Sequence, residues 1–338
     1  MKSESWGGSM DYDCIHRRAR RWRRFRRRRG QAILEFSLVA LVLYLLFAGI
    51  LTFGQLLYGA QSLQSAADVA AREIARIPLP PATTPYDSSS GVGIQLYDVL
   101  YNPAYSNPSA GAPYNQFRTQ VFDPSLLLVQ IPQGTNIADL VKTWPIVNQM
   151  LYPLMILDYQ DTSSNGQTQQ EEFLWYPGAV PGTDSNGWPA FRIALVTGRQ
   201  NGNGAETIEW VPVIEEMLPA DSNGYFAFNV QSQYGGLVSL RINYPYQSAT
   251  MSAYAQETTS PPVPNGQAIV ANDSGVTVIN PGDFSPSSGA LSNSVYPTYG
   301  GTYGLGSQYA WLTQVRPFRR VVSAQAVARR EVFQNPTP

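Results

Sequence analysis

The sequence predicts an α+β protein: one long transmembrane helix at the N-terminus, then a mostly β exoplasmic domain with long loops. Three observations predict it. No charged residue lies between Glu35 and Asp68, a run longer than the about 20 apolar residues that cross a bilayer as a helix. Beyond Pro81 helical periodicity fades, and Gly, Pro, Ser, Asn and Tyr become frequent. In that region Phe191–Val196 and Leu237–Ile242 alternate partly, as half-buried strands do, and Asn-Gly pairs at 165, 186, 201, 203 and 223 mark tight turns.

Charge divides the chain first. The 338 residues carry 23 Lys and Arg against 24 Asp and Glu, a net of −1. Residues 1–29 hold Lys2 and ten arginines, all between Arg17 and Arg29, against only Glu4, Asp11 and Asp13. That arm is therefore +8, and the other 309 residues are −9. Such asymmetry marks a boundary. Residues 1–30 read as a cytoplasmic Arg-rich leader, because the basic block precedes the apolar run and none follows it. An arginine run can neutralise nucleic-acid phosphates, but no folded recognition module accompanies this one, so no nucleic acid is expected. Membrane lipid is the expected partner of the arm. A cleaved secretory signal fits poorly, since the apolar run exceeds the usual length of about 7–15 residues and Glu35 opens it.

The junction reads Arg26-Arg-Arg-Arg-Gly30-Gln31-Ala32-Ile33-Leu34-Glu35-Phe36. A carboxylate at the edge of an apolar helix is costly without a partner, which points to a function; the alternative is a glutamate at headgroup depth beside the arginines. The junction resembles a type IV prepilin processing site. Together with Leu63-Gln-Ser-Ala66-Ala67-Asp-Val-Ala70-Ala71-Arg72-Glu-Ile-Ala75, it is similar to the TadE-like family of tight-adherence pilus-assembly proteins, over roughly residues 26–76. The resemblance implies a pilin-like N-terminal helix and a prepilin peptidase cutting between Gly30 and Gln31. Gln31 would be the new N-terminus. Glu35, the fifth mature residue, and Phe36 would serve assembly, with Glu35 meeting the N-terminal amine of a neighbouring subunit. The leader is long for a prepilin.

The helix is expected over residues 31–77. Leu63, Ala66, Ala67, Ala70, Ile74 and Ile77 recur at three- and four-residue steps, an apolar face, with Arg72, Glu73 and Arg76 on the polar side. Alanines let another element approach closely, either the protein's own domain or a neighbouring helix. Pro78, Pro80 and Pro81 end the helix.

Residues 78–338 read as the exoplasmic α+β domain. The stretches 82–93 and 102–115 are loop-like, and 137–157 holds a short helix interrupted at Pro145 and Pro153. Strands are expected at Phe173–Tyr176, Phe191–Thr197, Thr207–Val213, Tyr225–Val230, Leu237–Tyr244 and Val321–Val332, the last with a helix as runner-up. Residues 245–310 read as one long surface excursion with a hairpin, Ala268–Val270 against Val276–Ile279. The five arginines between Arg316 and Arg330 are expected to pair with carboxylates.

Composition narrows the chemistry. One Cys excludes a disulfide scaffold or a Cys-based zinc cluster. The one histidine, His16, lies in the arm, so the rest of the chain holds no His-ligated metal site or His-dependent triad. Glu171-Glu172, Glu209, Glu215-Glu216, Asp158 and Asp161 read as solvated acids, because no spacing nominates a catalytic pair. Asp184-Ser-Asn186-Gly and Asp221-Ser-Asn223-Gly are incomplete as calcium loops and read as turns. The 20 tyrosines and seven tryptophans serve a core or an adhesive surface.

The sequence is thus expected to be a TadE-like pseudopilin or minor pilin of the bacterial inner membrane, single-pass and non-catalytic. No cofactor, metal or small-molecule substrate is expected. Its partners would be prepilin peptidase, other pilins or pseudopilins with their assembly machinery, and lipid. The alternatives are an anchored binding or adhesive module independent of pili, and an anchored hydrolase.

Overall fold

The computed structural model describes residues 12–76, 95–102, 117–164, 167–199, 206–229, 232–246, 254–256, 277–278, 284–287, 299–306, 308–310, 313–317 and 320–330. The chain forms two compact units, Met1–Gly54 and Gln55–Pro338.

The long helix α1 runs Tyr12–Arg76, 65 residues. In the first unit its large apolar side chains from Ile33 to Phe53 are exposed. The hydroxyls among them are satisfied within the helix. Ser37 Oγ donates to Ile33 O at 2.8 Å and Thr52 Oγ1 to Ala48 O at 2.8 Å, so neither presents an unmet polar group to an apolar environment.

In the second unit the same helix is seated in a core. Leu63, Ala66, Ala67, Ala70 and Ile74 are each at most 1% exposed, and Ala71 and Ala75 widen the buried face. Ile77 lies outside the described residues. The face packs with Leu96, Leu100 and Tyr101 of α2 (Leu96–Tyr101), with Phe122, Leu151, Tyr176 and Phe228, and with Val238, Leu240 and Ile242. Arg72 and Arg76 stay exposed, and Arg76 pairs with Glu73 at 3.1 Å. Of the two occupants the sequence allows for the alanine face, the protein's own domain is present.

The described strands form four sheets. In the first, β1 (Leu128–Ile131) and β2 (Ile156–Ser164) flank β3 (Gln167–Trp175), all antiparallel. The second is centred on β4 (Ala179–Asp184), β5 (Pro189–Arg199) and β6 (Glu206–Pro212). The third joins β7 (Ile214–Glu216), β8 (Leu237–Tyr246) and a late strand, β14 (Arg320–Arg329). β14 alternates, with Ala324 and Ala326 buried and Val327 exposed, and Gln64 of α1 donates from Nε2 to Gln325 O at 3.0 Å. The C-terminal segment is a strand, not a helix, because its alternate alanines face the core while all ten residues ladder with β8. Between β1 and β2 in the chain, α3 (Ile137–Val141) and α4 (Ile146–Leu151) lie either side of Pro145, and Pro153 falls in a 3₁₀ turn.

Three expectations change. The described part of the expected strand Tyr225–Val230, residues 225–229, is not a strand. Its backbone is committed to side chains instead: Asp221 Oδ1 accepts from Asn223 N and Tyr225 N at 2.9 Å, and Glu216 Oε1 accepts from Phe228 N at 2.8 Å, which leaves no regular ladder. β4 is a strand despite Pro181 and Gly182. Glycine is needed there because Ser285 O and the Phe284 ring of β11 (Phe284–Pro286) lie where a Cβ would stand. The stretch 245–310 is more than a surface excursion, since Phe284, Tyr299 and Leu305 are buried with Trp175, Ile208 and Trp210 in a second core. Its Thr277–Val278 (β10) pairs parallel with Thr207–Ile208, and the expected partner arm, Ala268–Val270, lies outside the described residues. Short β9 (Tyr254–Gln256), β12 (Gln308–Ala310) and β13 (Thr313–Pro317) form the fourth sheet.

Because the alanine face is fully packed, Ala70→Leu must overfill it. We expect a stability loss of about 1–3 kcal/mol, read as a lower thermal midpoint in detergent, whereas exposed Arg72→Ala leaves the midpoint nearly unchanged.

Candidate functional site

The junction is built on one helix. Gly30 lies within α1, and Gln31 and Glu35, one turn apart, are both exposed. Gln31 Nε2 donates to Glu35 Oε1 at 3.1 Å. This is the i,i+4 geometry by which helix neighbours meet. Phe36 follows, 73% exposed, and begins the apolar run. Gln31–Arg76 is long and apolar enough to cross a membrane, and none of its most apolar stretch is buried. A helix apolar on all sides and uncovered by its own protein needs lipid or other apolar helices around it.

Glu172 and Glu209 are solvated as expected, while Asp158, Glu215 and Glu216 are more enclosed than the sequence predicts. Glu209 is exposed. Glu171 and Glu172 line a polar groove of about 410 Å³ together with Gln130, Gln133 and Gly134. Glu215 belongs to a network: it accepts from Asn243 Nδ2 at 2.9 Å and pairs with Arg241 at 3.3 Å. Asn243 also donates to Pro212 O and accepts from Ser323 Oγ at 2.7 Å. Asp158 is buried, and the side chain of Asp161 lies outside the described residues. Asp184 and Asp221 each fold a turn, with Oδ1 of Asp184 accepting from Asn186 N and Trp188 N. Asp184 Oδ2 also accepts from Tyr97 Oη at 3.0 Å, and burial pushes the Tyr97 hydroxyl up to about 12. Arg330 lies 4.7 Å over the Phe228 ring and donates to Phe228 O, so a ring and a carbonyl hold it. Among the described residues, no three His, Cys, Asp or Glu side chains gather as a metal site.

The junction and the helix that follows it are what the family comparison recognises. Residues 30–72 match the TadE-like protein family. The TadE-like segment therefore begins at Gly30, includes Gln31, Glu35 and Phe36, spans the exposed apolar helix, and ends on the buried alanine face. It stops before the first strand. No curated protein and no solved structure matches the chain. Family and geometry thus coincide on α1, and the β-rich domain is described by its own packing.

One half-buried acid in that domain, Glu216, carries a measurable consequence. Burial raises the Glu216 carboxyl to about 7, against the opposing bonds from the Phe228 and Leu96 amides, and nearby Asp98 raises it further. A carboxyl raised in the folded state binds its proton more tightly folded than unfolded. Its stabilising contribution is present below the ordinary glutamate range and is lost as pH rises toward 7. Glu216→Gln keeps an acceptor for Phe228 N and removes the charge. We expect it to stabilise the domain by about 1–2 kcal/mol at pH 8, after allowing for partial solvation, and to change little at pH 4. Thermal unfolding of both proteins across that range checks it.

Proposed function

We propose that this chain is a TadE-like pseudopilin or minor pilin, a single-pass component of tight-adherence pilus assembly in the bacterial inner membrane. The observation that carries the reading is the coincidence, on one helix, of the family match over residues 30–72 with the Gly30–Glu35 junction and an uncovered apolar run. The arginine arm, residues 1–30, is the cytoplasmic leader, and residues 78–338 form the exoplasmic domain. Prepilin peptidase cuts after Gly30. Glycine suits that place physically, because it is among the weakest helix formers and allows the backbone to open locally. The arginines beside it hold the bond at the cytoplasmic face, next to anionic lipid.

Gln31 then begins the mature chain, and Glu35 and Phe36 act in assembly. A carboxylate at the margin of an apolar helix gains most from a partner that shares its depth. The N-terminus of a neighbouring pilin helix is such a partner. The mature chain works without a cofactor, as a structural part among other pilins and the assembly machinery.

Two outcomes test these roles. In cells with active prepilin peptidase, wild-type protein runs as the shorter mature form and Gly30→Ala stays full length on a blot; equal mobility overturns the processing step. Glu35→Ala is processed normally but fails to enter filaments, scored in sheared pilus fractions. Assembly at the wild-type level would remove the role of that carboxylate.

A further inference from the structure

Processing after Gly30 leaves glutamine as the first residue, so one residue carries both a free α-amine and a side-chain amide. The amine nitrogen and Cδ of such a residue close a five-membered ring. Gln31 is exposed, and among the described residues no side chain covers it. The leaving nitrogen is already engaged, because Gln31 Nε2 donates to Glu35 Oε1 at 3.1 Å. A carboxylate on the departing nitrogen is where a proton carrier for amide cleavage has to be.

We propose that the mature N-terminus of this protein is a pyroglutamate, formed from Gln31 with Glu35 as the proton carrier. The inference rests on cleavage after Gly30. The α-amine lone pair attacks Cδ, and a new N–Cδ bond forms. The attacking nitrogen gives up a proton to the Glu35 carboxylate. Glu35 returns a proton to Nε2, the Cδ–Nε2 bond breaks, and ammonia leaves. The products are a neutral lactam and a regenerated carboxylate, with no oxidant, reductant or co-reactant.

The consequence falls on assembly. Residues 36–67 carry no charge, so an N-terminal ammonium would sit at the margin of an apolar segment, where charge is costly. The lactam removes that charge and keeps one N–H donor. A neighbour's Glu35 then meets the N-terminus through a hydrogen bond to a neutral ring. Only one charge, not two, has to be desolvated in that contact.

The test is the mass of the N-terminal peptide from full-length protein expressed with active prepilin peptidase. Membranes are quenched in cold acid at intervals after induction. The expected chain begins at Gln31, is lighter by one ammonia than the amine form, and resists stepwise N-terminal degradation. A chain beginning at Gln31 with a free or methylated amine overturns the cyclisation and leaves processing intact. A chain beginning at Met1 overturns processing and cyclisation together. In Glu35→Gln, the lactam fraction among chains beginning at Gln31 should accumulate at least about tenfold more slowly; an unchanged rate removes Glu35 from the step.

Discussion

The seating of the alanine face of α1 in the domain core is the contact on which the second unit depends. Leu63, Ala66, Ala67, Ala70, Ala71, Ile74 and Ala75 are all buried, and α2, α4 and the β7–β8–β14 sheet close around them. Alanine buries little area itself. Its value is geometric, because a short side chain lets large neighbours reach the helix backbone. Leu100, Tyr101, Phe122, Tyr176 and Phe228 then supply the apolar area that stabilises the unit. Gln64 adds a direct bond from α1 to the β14 backbone. Along α1 the side chains change from an exposed apolar set to a set buried in the helix's own domain. Here that change is written along a single element: bulky exposed side chains up to Tyr58, small buried ones after Leu63.

Tyrosine explains much of the rest. Tyr101 Oη donates to Ile214 O at 3.1 Å, Tyr176 Oη to Asn243 O at 2.9 Å, and Tyr299 Oη to Pro245 O at 3.2 Å. Each ring fills core while its hydroxyl satisfies a carbonyl at a strand or its margin, and burial raises the hydroxyls of Tyr101 and Tyr176 well above their ordinary value. Buried polar groups need such partners. A chain with few charges can in this way tie sheets together without burying ion pairs. The Asn243 network does the same between β8, β14 and Pro212. Of the tyrosines in the late excursion, Tyr299 is committed to the core against Trp175 rather than to an adhesive surface.

Legibility followed the range of the deciding interaction. The buried positions from Leu63 to Ile74, and strands β5, β6, β8 and β14 were readable because periodicity acts locally. The turns at Asp184 and Asp221 were readable because an aspartate bonds amides two and four residues ahead. Tyr225–Val230 misled because the amides of Tyr225 and Phe228 are claimed by Asp221 and by Glu216, the latter twelve residues away. β4 was hidden because its glycine answers to β11, a hundred residues later. Glu215 and Glu216 looked like surface acids, since nothing local reveals that Asn243 and the Phe228 amide will converge on them.

By itself the sequence determined the order of the parts: a basic arm, a glycine-to-glutamate junction, an apolar run, and an alanine face ended by prolines. These rest on charge, hydropathy and backbone sterics, which need no knowledge of the fold. Tertiary structure decided what those parts meet. It placed the alanine face in the protein's own core, drew Phe284, Tyr299 and Leu305 into a second core, and turned two adjacent glutamates into half-buried acceptors. Each of these depends on groups far apart in the chain arriving at one place, and pairwise contact of that kind leaves no period or spacing in the sequence.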